Sequence, residues 1–534
     1  MSNTAVLATD IPFVDALAAI VGADNVTSDV AELTFFSSDM AERGVTAAAV
    51  IRPRTTLEVA AAVKLCVARK FPMIPRGGGF SYTGGYRPVR ENTVTFDLRG
   101  LDRIIEINTV DMYVVVEPGC TWRTLYEALK EKGVRTPYFG PMSGYSATVG
   151  GALSQGSFFL GSTQYGPVAD SALALEVVTG EGTVLKTGSW ASTNAMSPFF
   201  RSYGPDLTGL FLGDNGALGF KTKAVLRLIP FPPQQEYGSF AFDDEEAAIA
   251  ATSEIGRATI AAECYCWDPY FVKQMSAAST GLTQDLQFLA GVAKGGTSRV
   301  KGLMNAARVA VAGRRAFASG IFLLHVIVDD VSEAGAKGRI DVAREIALRN
   351  GGREMPPSVP MALRGTPFTN FNVPERRTLQ RNLPTNGLTT HSRIQALGAA
   401  VRTLIATYQD DFDRLGIQCG VIYFAVGNGI MCCEPLVYFD DEQHFQHDRI
   451  AERSDLDKLA AHATPPESAR VAVRFRTDLT KLMSSLGCGH VQIGKSYPYR
   501  QTREAATFEL LAAVKRAVDP HGLVNPGALG LGTA

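Results

Sequence analysis

Two rhythms of apolar residues alternate along the chain, one of amphipathic helices and one of short buried strands. Residues 11–22 place Val14, Leu17, Ala18 and Val21 on one helical face. Ala47–Ile51 reads as a short apolar strand. Thr55 opens a capping box with Glu58, and the helix through Lys70 turns Val59, Val63, Cys66 and Val67 inward. Strands follow at Pro72–Pro75, at the alternating Thr93–Leu98, and at Tyr113–Glu117, which ends at Pro118-Gly119. Thr121 caps a helix that stops at Gly133. Leu173–Val178 and Thr183–Lys186 flank Gly180-Glu181-Gly182 as a hairpin, and Lys221–Leu228 is a further strand.

Pro230, Pro232 and Pro233 then end a first domain, residues 1–233. Residues 234–470 read as a second, α+β domain, with strands at His325–Asp329 and Val421–Phe424 and a helix over Ile394–Leu415. Residues 297–318 read as a basic helix bearing Arg299, Lys301, Arg308, Arg314 and Arg315, taken as a solvated face. The terminal segment, 471–534, carries a helix over Thr502–Val518, followed by Asp519-Pro520 and Val524-Asn525-Pro526-Gly527. The fold class expected is α+β.

Composition narrows the partners. The 534 residues are 46% hydrophobic and 20% charged, enough for two or three domains with real cores. A net charge of −1 implies no polyanionic partner and no nucleic acid. None of the eight cysteines forms a CxxC pair, so neither a zinc ribbon nor a disulfide framework is suggested. Met1–Asp10 does not read as a signal peptide, and no apolar run reaches the ~18 residues of a membrane span. The expectation is a cytoplasmic protein with no integral membrane segment.

The chemistry concentrates in glycine. Residues 75–85, Pro-Arg-Gly-Gly-Gly-Phe-Ser-Tyr-Thr-Gly-Gly, can turn backbone N–H groups inward as a phosphate-binding nest, with Arg76 at its mouth. Tyr82 stands where the dinucleotide fingerprint needs its third glycine, so the loop is not of Rossmann type. A second glycine-rich segment, Ser143–Gly156, offers Thr148, Gly150 and Gly151, and a third spans Gly213–Gly219. The stretch Gly489–Ser496 matches a P-loop letter for letter, but Pro498 stands where the following helix should begin.

Together, Arg76-Gly77-Gly78-Gly79, Glu117-Pro118-Gly119, Thr148-Val149-Gly150-Gly151 and Gly216-Ala217-Leu218-Gly219 resemble the flavoprotein superfamily of vanillyl-alcohol oxidase and p-cresol methylhydroxylase. The resemblance covers about residues 47–230 and extends weakly into the second domain at Pro384–Gly387 and Met431–Cys433. It implies a PCMH-type FAD-binding domain of two α/β subdomains, an α+β cap over the flavin ring, and a terminal segment returning to the FAD domain. FAD would be held by Arg76, Gly77, Gly78, Gly79, Phe80, Ser81, Pro118, Gly119, Thr148, Gly150, Gly151, Gly216, Gly219 and Asn525.

Departures from the family shape the chemistry. Phe80 stands where some relatives attach FAD through histidine, and no cysteine lies between Pro141 and Gly151. The expectation is non-covalent FAD, with a cysteinyl link at Cys432 or Cys433 as the alternative. Gly487-Cys488-Gly489 replaces the Tyr-Arg pair of phenol-oxidising members, and Ser154 falls where those members carry an active-site Asp. No histidine occupies Val426–Cys432, so no metal is expected.

His490 is the first candidate base or hydrogen-bond partner. Tyr497 and Tyr499 would orient substrate, and Lys495 would pair with an anionic group or with flavin. His391 is a further cap candidate, and His444 and His447 read as a solvated loop. The activity expected is hydride transfer from an alcohol-type or benzylic carbon of a small-molecule substrate to FAD, with oxygen or a redox carrier as electron acceptor. Alternatives are a 2-hydroxyacid dehydrogenase of the D-lactate or glycolate kind, with Arg393 or Arg500 on the carboxylate, and a flavin-binding protein without turnover. The resemblance also admits a homodimer.

Overall fold

The computed structural model describes residues 12–278, 320–368, 380–440 and 466–532. The proposed basic helix at 297–318 lies outside them, as do His444 and His447.

The first domain holds two small sheets. Strands β1 (Val26–Thr27), β2 (Ala49–Ile51), β3 (Met73–Arg76) and β4 (Val94–Asp97) form one in the order β1-β2-β4-β3, with helices α1 (Phe13–Val21) and α2 (Thr56–Ala68). The β2–β4 and β3–β4 pairs are parallel. Helix α2 buries Val59, Val63 and Cys66 against this sheet. Its cap is shared: the Glu58 N–H donates to Thr55 Oγ1, while the Glu58 carboxylate accepts from the Arg54 N–H.

The second sheet is antiparallel and runs β5-β6-β9-β7-β8, from β5 (Ile104–Asn108), β6 (Tyr113–Val116), β7 (Ala172–Val178), β8 (Val184–Lys186) and β9 (Phe220–Arg227). Helices α3 (Trp122–Glu131) and α4 (Val149–Gln155) pack on it through Leu125, Leu129, Val149 and Leu153.

The cap is an eight-stranded antiparallel sheet built from β10 (Gln234–Phe242), β11 (Glu263–Trp267), β12 (Phe322–Asp330), β13 (Arg353–Met355), β14 (Gln380–Pro384), β15 (Gly387–Thr389), β16 (Gln418–Val426) and β17 (Ile430–Asp440). The order is β13-β10-β12-β11-β16-β17-β14, and β15 also pairs with β17. Strand alternation splits its side chains. Cys264, Cys266, Val326, Tyr423 and Cys433 face the main cap core beneath the helices. Tyr265, Trp267, Phe424 and Cys432 face the first domain, meeting Phe158 and Phe159.

One helical expectation changes. Ile394–Leu415 divides at Tyr408 into Ile394–Thr407 and Gln409–Leu415. The Tyr408 N–H bonds to the Ile405 carbonyl, tightening the last turn, while the Tyr408 carbonyl accepts from Phe412 N–H to start the next helix. The Tyr408 ring is buried against Phe412 and Phe475, and its hydroxyl reaches Asp478, so tertiary packing overrides continuous periodicity here.

Two sets of contacts seat the cap. The Thr163 hydroxyl donates to the Ala425 carbonyl and accepts from the Cys264 N–H. Arg135 of the first domain and Arg364 of the cap both bond Asp329, and Arg364 also bonds Glu263, all four side chains being buried. The terminal segment then returns: Val524 bridges in parallel to Met73 of β3, with Met73 N–H donating to Leu523 O and Asn525 N–H to Met73 O.

Candidate active site

Three glycine-rich segments converge on one channel in the first domain. Strand β3 delivers Arg76, Gly77, Gly78, Gly79, Phe80 and Ser81 to its wall, and Pro118 joins from the end of β6. Thr148, Gly150 and Gly151 enter at the start of α4, and Gly216 and Gly219 just before β9. The segments approach so closely that side chains would not fit. A Cβ on Gly78 would lie 2.3 Å from the Ser146 carbonyl oxygen, and one on Gly150 2.4 Å from Pro118 Cβ. Thr148 caps α4 through Gly151 N–H, so the helix N-terminus opens on the channel.

Gly119 and Asn525 stand outside the channel wall. A Cβ on Gly119 would meet the Leu98 and Leu101 carbonyl oxygens at 2.3 and 2.6 Å, so this glycine lets the turn close against the loop after β4. The Asn525 amide donates to the Gly85 and Asn215 carbonyls, holding the terminal segment against the two glycine loops.

A second cavity lies between the domains, with an apolar wall of Phe158, Leu212, Leu388, Val426 and Ile430 and with His490 on its lining. Gln155, Asn215 and Gln492 line both cavities and therefore stand at the boundary between them. Sequence reasoning passed these three carboxamides over, since they neither titrate nor form a pattern. Gln155 was the penultimate residue of a glycine segment, and Gln492 sat inside the false P-loop. Gln155 Oε1 is buried without a hydrogen-bond partner. Gln492 adopts φ 52°, a left-handed conformation uncommon for a long side chain, held by its N–H bond to the Gln155 carbonyl.

His490 is placed by its neighbours. Nδ1 lies 2.7 Å from the Asn386 carbonyl oxygen, which can only accept, so Nδ1 carries the proton and Nε2 keeps its lone pair. Ser484 Oγ is 3.3 Å from Nε2. Burial holds the His490 pKa below the usual histidine value, which keeps the ring neutral near pH 7. Tyr497 stacks on the imidazole at 4.2 Å between ring centroids, and its hydroxyl accepts from Asn386 N–H.

The remaining candidates sit elsewhere. Lys495 Nζ is enclosed by the Gly84, Gly85 and Arg87 carbonyls and Asn525 Oδ1, and it lines neither cavity. Burial lowers its pKa to about 7. Tyr499 packs with Phe508 and Leu529 behind the terminal segment. Both His391 ring nitrogens are engaged, by Ser253 Oγ and the Asn428 carbonyl. Arg393 and Arg500 line neither cavity, and Arg500 lies over the Phe508 ring. The false P-loop follows a helix (Pro466–Ser485) and precedes a 3-10 turn (Arg500–Thr502), not the strand and helix a phosphate loop requires.

Cys432 faces the second cavity's side of the cap sheet, paired with Leu388 and Phe424, and burial raises its thiol pKa well above the ordinary value. Cys433 points into the opposite core. Among the described residues, no group of three or more His, Cys, Asp or Glu could hold a metal ion. Among them too, no helix is long and apolar enough to cross a membrane.

Comparison with known proteins agrees with this layout. Residues 47–188 match the family model "FAD binding domain", and residues 493–529 match "FAD linked oxidases, C-terminal domain". The chain is 31% identical over 212 residues to glycolate oxidase subunit GlcD of Bacillus subtilis, covering 40% of this chain and 43% of that one. It is 31% identical over 211 residues to a probable mitochondrial D-lactate dehydrogenase of Danio rerio, covering 40% and 41%. These matches span less than half the length of either relative.

The solved structure of p-cresol methylhydroxylase with substrate bound superposes with TM-score 0.71 at 19% identity, covering 97% of this chain and 96% of that one. The channel suits the cofactor these matches name: glycine backbones leave room for a long ligand, and the unpartnered Gln155 Oε1 offers it an acceptor. The chain thus carries an FAD-binding domain over residues 47–188 and an FAD-linked-oxidase C-terminal segment over 493–529, in a fold like that of p-cresol methylhydroxylase, and its cofactor is FAD.

Proposed function

We propose that the chain is an FAD-dependent oxidoreductase that takes hydride from an alcohol-type or benzylic carbon of a small molecule bound in the cavity beside His490. The observation that carries this reading is a neutral imidazole, fixed by Asn386, on an apolar cavity that shares Gln155, Asn215 and Gln492 with the glycine-lined channel. When bound in that channel, FAD supplies the two-electron acceptor.

The glycine loops admit the cofactor's polar tail, and Arg76 with the α4 N-terminus supplies positive potential beside it. Phe158, Leu388, Val426 and Ile430 exclude water from the substrate carbon. His490 Nε2 accepts the substrate hydroxyl proton, and the Nδ1–H bond to Asn386 stabilises the resulting imidazolium. Tyr497 supports the ring by stacking. Lys495 acts as a clamp between the terminal segment and the Gly84–Arg87 loop. The cofactor is held without a covalent bond, since the buried Cys432 thiol resists ionisation and Cys433 faces away.

A second reading, a D-lactate or glycolate dehydrogenase, is favoured by the similarity to proteins of those names. It lacks a carboxylate-binding arginine at either predicted position. An anaerobic screen separates the two: FAD-loaded protein is mixed with aromatic and aliphatic alcohols and with 2-hydroxyacids, and loss of flavin absorbance is followed. Bleaching by alcohols that falls at least about a hundredfold in rate in His490→Ala supports the first reading. Bleaching by hydroxyacids alone supports the second. No bleaching by any class, with FAD bound, refutes both and leaves a flavin-binding protein without turnover.

A further inference from the structure

A third cavity, of about 620 Å³, lies on the other side of the domain junction and takes no part in the site above. Its size is in the range of small-molecule pockets. Helix α3 presents Arg123, Tyr126 and Lys130 along one face, the linker adds Phe231, and the end of the helix Ser358–Gly365 with its following turn adds Arg364 and Phe368. The three aromatic rings form a connected wall: Tyr126 is 5.9 Å from Phe231 and 5.5 Å, edge-on, from Phe368. Lys130 Nζ stands 5.4 Å above the Phe231 ring, and among the described residues it has no carboxylate partner.

Arg364 makes the electrostatics unusual for a surface groove. Its side chain is 4% exposed, its two terminal nitrogens are taken by Asp329 and Glu263, and its Nε is buried without a partner. Arg135 and Arg364 balance Asp329 and Glu263, so that network is neutral. Arg123 is paired with Glu127 on the same helix, which leaves Lys130, among the described residues, as the uncompensated charge on the lining.

From this the geometry points to a second ligand site, for a flat aromatic molecule bearing one anionic group. The ring stacks within the Tyr126, Phe231 and Phe368 wall, and the anion pairs with Lys130. This site is independent of the alcohol-oxidising reading.

The test is isothermal titration of sodium 2-naphthoate into the FAD-loaded full chain, so that the cofactor channel is filled. One binding event is expected, weakened roughly tenfold or more by Lys130→Gln, as for loss of a charge-assisted hydrogen bond. Phe231→Ala should weaken it as well, and neutral 2-naphthamide should bind the wild type at least about tenfold less tightly. Lys130 is exposed, so Lys130→Gln keeps the test decisive even if Phe231→Ala fails to hold FAD. No binding, or equal binding by wild type and Lys130→Gln, overturns the inference. So does binding abolished by His490→Ala but untouched by Lys130→Gln, which would put the naphthoate in the cavity beside His490.

Discussion

The packing of the glycine loop against α4 can be tested with two substitutions and their combination. A Cβ on Gly77 would lie 2.4 Å from Thr148 Oγ1, against the 3.4 Å at which ordinary contact begins. The next nearest atoms, Gly151 Cα and Thr148 Cβ, are at 3.7 Å, so one hydroxyl accounts for the whole clash. Gly77 is not among the residues with positive φ, and alanine meets no backbone strain there. Overpacking of this kind costs about 1–3 kcal/mol. The alternative, rotating Thr148 out of the way, loses its cap to Gly151 N–H, worth about 1 kcal/mol. Thr148→Ala alone should cost that same 1 kcal/mol or so.

The double variant removes both the clash and the cap, and it should be no less stable than Thr148→Ala. Because rotating Thr148 limits the cost of Gly77→Ala to the value of the cap, the coupling between the two sites is about 1 kcal/mol, beyond the ~0.5 kcal/mol scatter of independent sites. Urea unfolding, followed by the rise in flavin fluorescence on release, gives the four midpoints, compared at unchanged slope. If Gly77→Ala costs as much in the Thr148→Ala background as in the wild type, Thr148 Oγ1 does not occupy the space beside Gly77. The proposed convergence of the loops on one channel would then fail with it.

Three further outcomes follow from the same geometry. Acid precipitation should leave flavin in the supernatant for wild type, Cys432→Ser and Cys433→Ser alike; colour in the wild-type pellet that Cys432→Ser releases would show a cysteinyl link instead. Because burial lowers the His490 pKa, kcat/KM should be level above about pH 6.5 and fall as acid protonates the ring, and His490→Gln should lose this acid limb. An acid limb that survives the substitution assigns it to another group. His325 is fully buried beside Ser239 with its pKa lowered to about 3, so the unfolded chain binds its proton first and stability drains away as pH falls from 6.5 toward 3. The full effect is roughly 5 kcal/mol, and urea midpoints at pH 7 and pH 4.5 should converge in His325→Leu; an unchanged pH slope removes His325 as the cause.

The local sequence determined much of the first domain. Thr55, Thr121 and Thr148 each cap a helix, because a short hydroxyl side chain before a helical run satisfies an otherwise unpaired backbone N–H. The glycine loops were legible for a similar reason: dense glycine marks places where another backbone must come within side-chain distance. Sequence showed that Gly119 and Gly150 need such space, but not what fills it. One lets a turn close on the Leu98–Leu101 loop, and the other lines the channel.

Tertiary structure decided what touches what across long separations. Cys432 and Cys433 are adjacent and chemically identical, yet strand alternation sends one toward the cavity side and the other into the helical core. Lys495, read as a charge for substrate or flavin, is consumed by three carbonyls and Asn525 once the terminal segment docks. Gln155, Asn215 and Gln492 meet at the boundary of the two cavities from three distant stretches, and neutral carboxamides carry no periodicity or charge by which sequence alone could assemble them. Capping and close approach are written locally, because each depends on a few neighbouring residues. A cavity is the space left between elements, and it exists only after those elements have packed.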